Sequence, residues 1–119
     1  LSNREEGLRG EEMAIKTLKK AGYKIVERNH RNPLGEIDVI AEESGVLVFV
    51  EVKKRNTGSF GEAVCAVTET KKRHLIKAAT FYLKMHDCFD RSVRFDVIGI
   101  DKDRTKLVKN AFLVEERHA

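Results

Sequence analysis

The chain's 119 residues are 41% hydrophobic and 35% charged, and 23 basic against 19 acidic side chains leave a formal charge of +4. This balance supports one modest apolar core and only mildly favours a polyanionic partner. No apolar run reaches the roughly 20 residues that a membrane-spanning helix requires, and the opening LSNREEGLRGEE is too polar for a secretory signal, so the expectation is one domain over residues 1–119, a cytoplasmic location and no membrane partner.

Residues 3–21 carry Leu8, Ala14, Ile15 and Leu18 at helical spacing and stop at Gly22, a helix terminator. Residues 23–29 alternate as a strand, which Asn32-Pro33-Leu34-Gly35 interrupts. Residues 36–43 and 46–54 read as two more strands joined at Ser44-Gly45, a two-residue hairpin turn. A glycine-rich loop at 56–61 follows. The second helix is expected over 68–85, with Leu75, Ala78, Ala79, Tyr82 and Leu83 on its apolar side, and further strands at 93–100 and 107–114. The order αβββαββ predicts an α/β or α+β fold in which helices pack on a sheet of about five strands. Cys65 and Cys88 are far apart and read as buried thiols, and the four histidines show no metal-ligand spacing.

The strand pair 36–54 carries an unusual load. With Ser44-Gly45 as the turn, Glu43 faces Val46, and counting outward sets Ile40 against Phe49, Asp38 against Glu51 and Glu36 against Lys53. These six share one face of the ribbon, whereas Val48, Val50 and Val52 point the other way into the expected core. Opposed residues have Cβ atoms roughly 4.5 to 5.5 Å apart, so two facing carboxylates repel and need compensation. A proton on one carboxyl, a cation such as Lys53, or a bridging divalent metal would each supply it. Two hard oxygen ligands beside a strand carbonyl suit magnesium, and the lack of thiolate or imidazole argues against zinc. The plainer alternative is an exposed sheet face on which acids and bases form cross-strand ion pairs.

Glu11 lies on the apolar stripe of the first helix, between Leu8 and Ile15, where an acid needs a partner. Lys53-Lys54-Arg55 and Lys71-Lys72-Arg73 would form a basic rim around the acidic centre, suited to a phosphate backbone or simply to solvation.

Gly7-x-x-Gly10-Glu11-x-x-Ala14, Gly22-Tyr23, Arg28-Asn29, Gly35-Glu36-Ile37-Asp38, Phe49-Val50-Glu51-Val52-Lys53, Phe60-Gly61, Lys71 and Arg94-Phe95-Asp96 together resemble the bacterial YraN-like family of the PD-(D/E)xK nuclease superfamily. One departure is Ile37, where the superfamily signature has proline before the aspartate. The resemblance implies a restriction-endonuclease-like fold, a central mixed sheet flanked by helices, shared with archaeal Holliday-junction resolvases. It further implies a metal-dependent endonuclease that hydrolyses DNA phosphodiester bonds, with branched or junction DNA as partner and a homodimer as the assembly.

On that resemblance the catalytic set is Glu11, Asp38, Glu51 and Lys53. Asp38, Glu51 and the Val52 carbonyl would hold Mg2+ or Mn2+, Lys53 would orient the nucleophile, and Glu11 would complete the site. Glu36 would steady Lys53. Arg55, Phe60 and Lys71 are expected nucleic-acid contacts. Two other expectations compete: a non-cleaving nucleic-acid-binding module that keeps the fold, and a small protein-interaction domain, for which the sequence displays no apolar patch.

Overall fold

The computed structural model describes residues 3–55 and 67–112. Helix α1 (Asn3–Lys20) leads into strands β1 (Lys24–Asn32), β2 (Gly35–Glu43) and β3 (Val46–Arg55); helix α2 (Glu69–Met85) then precedes β4 (Val93–Asp101) and β5 (Arg104–Val108). The strands form one mixed sheet in the order β1-β2-β3-β4-β5, antiparallel throughout except for the parallel pair β3/β4. That parallel pair needs a crossover, and α2 lies within it. The expected α/β class and the order αβββαββ are thus observed.

Local chemistry sets the boundaries. α1 ends where Gly22 takes φ +93° and the Gly22 and Tyr23 amides donate back to the Lys19 and Leu18 carbonyls at 3.1 and 3.0 Å, a Schellman closure that glycine permits without a Cβ clash. α2 starts at Thr68, whose Oγ1 accepts the Lys71 amide at 3.1 Å. Between β2 and β3, Ser44 and Gly45 both have positive φ, a type I′ turn whose twist matches the flanking strands.

Among the described residues, each face of the sheet is covered by one helix. Ala14, Ile15 and Leu18 of α1 pack with Tyr23, Val39, Ala41, Val48, Val50, Ile98 and Ile100. Leu75, Ala78, Ala79 and Tyr82 of α2 pack on the other face with Ile37, Ile40, Leu47, Phe49 and Phe95. Leu8, on the predicted apolar stripe, is instead 53% exposed, because burial along α1 begins only at Gly10.

The last strand is misplaced by the sequence reading of 107–114. Lys102 takes positive φ, so β4 turns back at once and Arg104 already pairs with Asp101. Ala111 and Phe112 are not strand, while Leu113 and Val114 lie outside the described residues.

A buried polar knot ties β2 and β4 to the segment before β1 and the segment after β5. Asp96, fully buried, accepts from Tyr23 Oη at 2.5 Å, from Arg94 Nε at 2.8 Å and Nη2 at 2.9 Å, and from the Asn110 amide at 2.8 Å. Arg94 also donates to Glu43 at 2.7 Å, and Lys109 donates to the other oxygen of Glu43 at 2.6 Å. The Lys109 and Arg94 hydrogen bonds hold the Glu43 carboxyl below its ordinary pKa, whereas burial and Asp96 push the Tyr23 phenol well above its own.

Candidate functional site

The β2/β3 ladder runs in the expected register from Glu43/Val46 through Ile40/Phe49 to Val39/Val50 and stops there. A regular continuation would send the Val52 amide to the Ile37 carbonyl. Instead Asp38 Oδ2 accepts it at 2.8 Å. The cause lies one strand further out: Asn29, opposite Asp38, is left-handed with φ 53°, a conformation asparagine tolerates better than most residues. The side-chain alternation breaks at the same level, so Ile37 and Ile40, three residues apart, both enter the α2-side core. Asp38 therefore stands in the gap where the two strands part.

Glu51 meets it there. Glu51 is only 4% exposed and its Oε2 is buried with no hydrogen-bond partner. Burial first, and the neighbouring Asp38 carboxylate second, push the Glu51 carboxyl from its ordinary 4.5 up to about 7, assisted by a hydrogen bond with Asp38. Lys71 and Lys53 pull the other way. Lys71 Nζ lies 3.8 Å from Glu51 Oε1, reaching in from the first turn of α2. The two facing acids are thus real neighbours, and the protein alone offers them a shared proton and two cations.

On the α1 side Asp38 lines a cleft of about 190 Å3 with Glu11, Val52, Lys54, Arg28 and Asn29. Glu11 is half-buried at its wall and joins Asp38 as expected. Lys54, expected as part of a basic rim, lines the cleft itself. A β-carbon at Gly10 would fall 2.2 Å from Lys54 Cε, so the glycine of α1 is what lets this lysine lie against the helix. Two glycines three apart on an otherwise well-formed helix were the available signal.

Two expectations need correction. The face carrying Ile40 and Phe49 is not exposed, because α2 buries both completely, so the principal core lies on two sides of the ribbon rather than one. Glu36 does not support Lys53: it pairs in register with Arg31 and forms an exposed ion pair with it at 3.2 Å, since β2 has turned toward β1 at this level. Lys71, an expected nucleic-acid contact, stands beside Glu51 in the DNA-free protein. Arg55 is placed as the last residue of β3 but its side chain, and all of Phe60 and the 56–61 loop, lie outside the described residues. Among the described residues no three His, Cys, Asp or Glu side chains converge as a metal-ligand group, and no helix is long and apolar enough to cross a membrane.

The sequence model of uncharacterised protein family UPF0102 matches residues 10–100. The chain belongs to this family. UPF0102 relatives include a protein from Persephonella marina, 41% identical over 107 residues, covering 90% of this chain and 92% of its own. One from Caldicellulosiruptor saccharolyticus is 42% identical over 118 residues, covering 94% and 100%, and one from Syntrophomonas wolfei is 45% identical over 114 residues, covering 92% and 99%. The UPF0102 match spans Glu11, the Asp38/Glu51 pair, Lys53, Lys54, Lys71 and, of the buried knot, Tyr23, Glu43, Arg94 and Asp96.

Proposed function

We propose that this UPF0102 protein is a metal-dependent DNA endonuclease of the PD-(D/E)xK type, acting in the cytoplasm and preferring branched DNA. The observation that carries the reading is the Asp38/Glu51 pair itself: two carboxylates held together at a parted strand pair, one of them with a buried, unpartnered oxygen. A native fold rarely leaves such an atom unpaired unless something else supplies the partner. Hard carboxylate oxygens, with no thiolate or imidazole grouped with them among the described residues, fit Mg2+ or Mn2+.

Asp38, Glu51 and the Val52 carbonyl would hold the ion. When bound, it supplies charge stabilisation for a phosphodiester group and makes nearby water more acidic. The chain's own residues do the rest. The Val52 amide fixes Oδ2 of Asp38 and so orients the carboxylate toward the gap between the strands. Lys53, half-buried and close enough to Glu51 to lower its pKa, orients the attacking water and meets charge that develops on the phosphate. Glu11 positions solvent in the α1-side cleft. Lys54 lines the same cleft and adds positive charge next to Asp38.

Full-length protein incubated with linear duplex, single-stranded and four-way-junction DNA, in magnesium, manganese or chelator, tests the reading. Cutting is expected only with a divalent ion and most on the junction, and Asp38→Ala should abolish it while DNA is still retained. Retention without cutting by the wild type would favour the non-cleaving module, and no retention at low salt would remove nucleic acid from the account.

A further inference from the structure

Lys71 is the one basic residue of its helical turn that is directed at the acid pair. Lys72 is held by Glu69 at 3.1 Å, and Arg73 donates to Thr70 at 3.3 Å. Lys71 has its backbone fixed by the Thr68 cap, yet its side chain is 38% exposed while that of Glu51 is 5% exposed. Its 3.8 Å approach to Glu51 exceeds the 2.7 to 2.9 Å of a charge-assisted hydrogen bond. The contact is therefore one of charge without a hydrogen bond, made by a long side chain with solvent on its other side. Such a pair can separate once another cation takes over the buried carboxylate, because the lysine end is already in contact with water.

Charge balance gives the contact a purpose. Without a metal, Asp38 and Glu51 have Lys53 and Lys71 beside them, one cation for each carboxyl group. A dication at the acids replaces that neutralisation in full, and two lysines are then left for the negative charges of a nucleic-acid backbone.

We propose that Lys71 is a displaceable counter-cation: its ammonium neutralises Glu51 in the metal-free protein, yields that carboxylate to a divalent ion, and turns to a substrate phosphate. The inference rests on the metal reading above and adds a coupling to it. Because Lys71 and the ion compete for one carboxylate, a phosphate that draws Lys71 away raises affinity for the ion, and by reciprocity the ion raises affinity for the phosphate. Lys71 is in this sense a positioning residue that links the two binding events.

Calorimetric titration of Mn2+ into DNA-free wild type, Lys71→Met and Lys72→Met decides the matter. Removing a unit charge beside a dication's site at near-solvent dielectric should tighten Mn2+ binding by roughly tenfold in Lys71→Met. Lys72→Met, which removes the same charge from the same turn without a contact to Glu51, should change it less than about twofold. Wild-type binding that Lys71→Met leaves unchanged or weakens, or an equal gain in Lys72→Met, overturns the inference while the metal reading stands. No Mn2+ uptake by any of the three proteins overturns both.

Discussion

Glu51→Gln is expected to make the metal-free protein more stable and, at the same time, unable to cut DNA. Glu51 is buried beside Asp38, and its carboxyl is pushed up to about 7 from 4.5. The folded state therefore prefers the protonated form. Below pH 4.5 the group is protonated in both folded and unfolded chains and costs nothing. As the pH rises toward 7 the unfolded chain gains by ionising first, and above 7 the full penalty of a buried charge applies. Glutamine removes that penalty, so the gain should be near zero at pH 4 and about 2 to 3 kcal/mol at pH 8. For a domain of this size this corresponds to a rise of roughly 10 °C in Tm. Thermal melts in chelator at the two pH values measure it. Equal melting temperatures at pH 8 would show that the acid pair is not strained. The same variant should lose metal-dependent cutting by about a thousandfold or more, the scale on which removal of one electrostatic element of an active site is felt.

The opposite result is expected at Asp96, the most deeply buried acid of the described residues. Asp96→Ala should destabilise the protein by about 3 to 5 kcal/mol, because it strands Arg94, Tyr23 Oη and the Asn110 amide around an empty position. Asp96 differs from Glu51 in that both its oxygens are satisfied, and its main partner is an arginine whose pKa is raised by the bonds it makes to Asp96 and Glu43. With total stabilities of roughly 5 to 15 kcal/mol for small domains, this single change removes a large fraction. Urea unfolding followed by circular dichroism should show a lower midpoint at an unchanged slope. A variant as stable as the wild type would mean that the knot at the start of β4 does not brace the sheet.

Much of this arrangement can be read from the sequence, for identifiable reasons. Alternation in 36–54 and the small turn at Ser44-Gly45 specify the register as far as Val39/Val50, since a slip of one residue would turn every valine to the wrong face. Helical spacing alone puts Glu11 toward the sheet. The parting of the strands at Asp38 could not be read, because it depends on the left-handed Asn29 in β1, a strand whose pairing partner the periodicity does not reveal. For the same reason Glu36 was set against Lys53 rather than Arg31. The contact of Lys71 with Glu51 depends on how α2 crosses the sheet, and that angle is set by Phe49, Tyr82 and Phe95 packing rather than by anything near Lys71. The turn at Lys102 escaped notice because it lacks the Asn-Gly or Asp-Gly pair that marks most tight hairpins.

The central claim is that Asp38 and Glu51 together grip one divalent ion. Crystals grown without metal and soaked in Mn2+, with data collected for anomalous scattering, address it most directly. The account predicts a single strong peak bridging the Asp38 and Glu51 carboxylates, with the unpartnered Glu51 oxygen among its ligands. A featureless map at that position, with the two side chains still in contact through a shared proton, would contradict it.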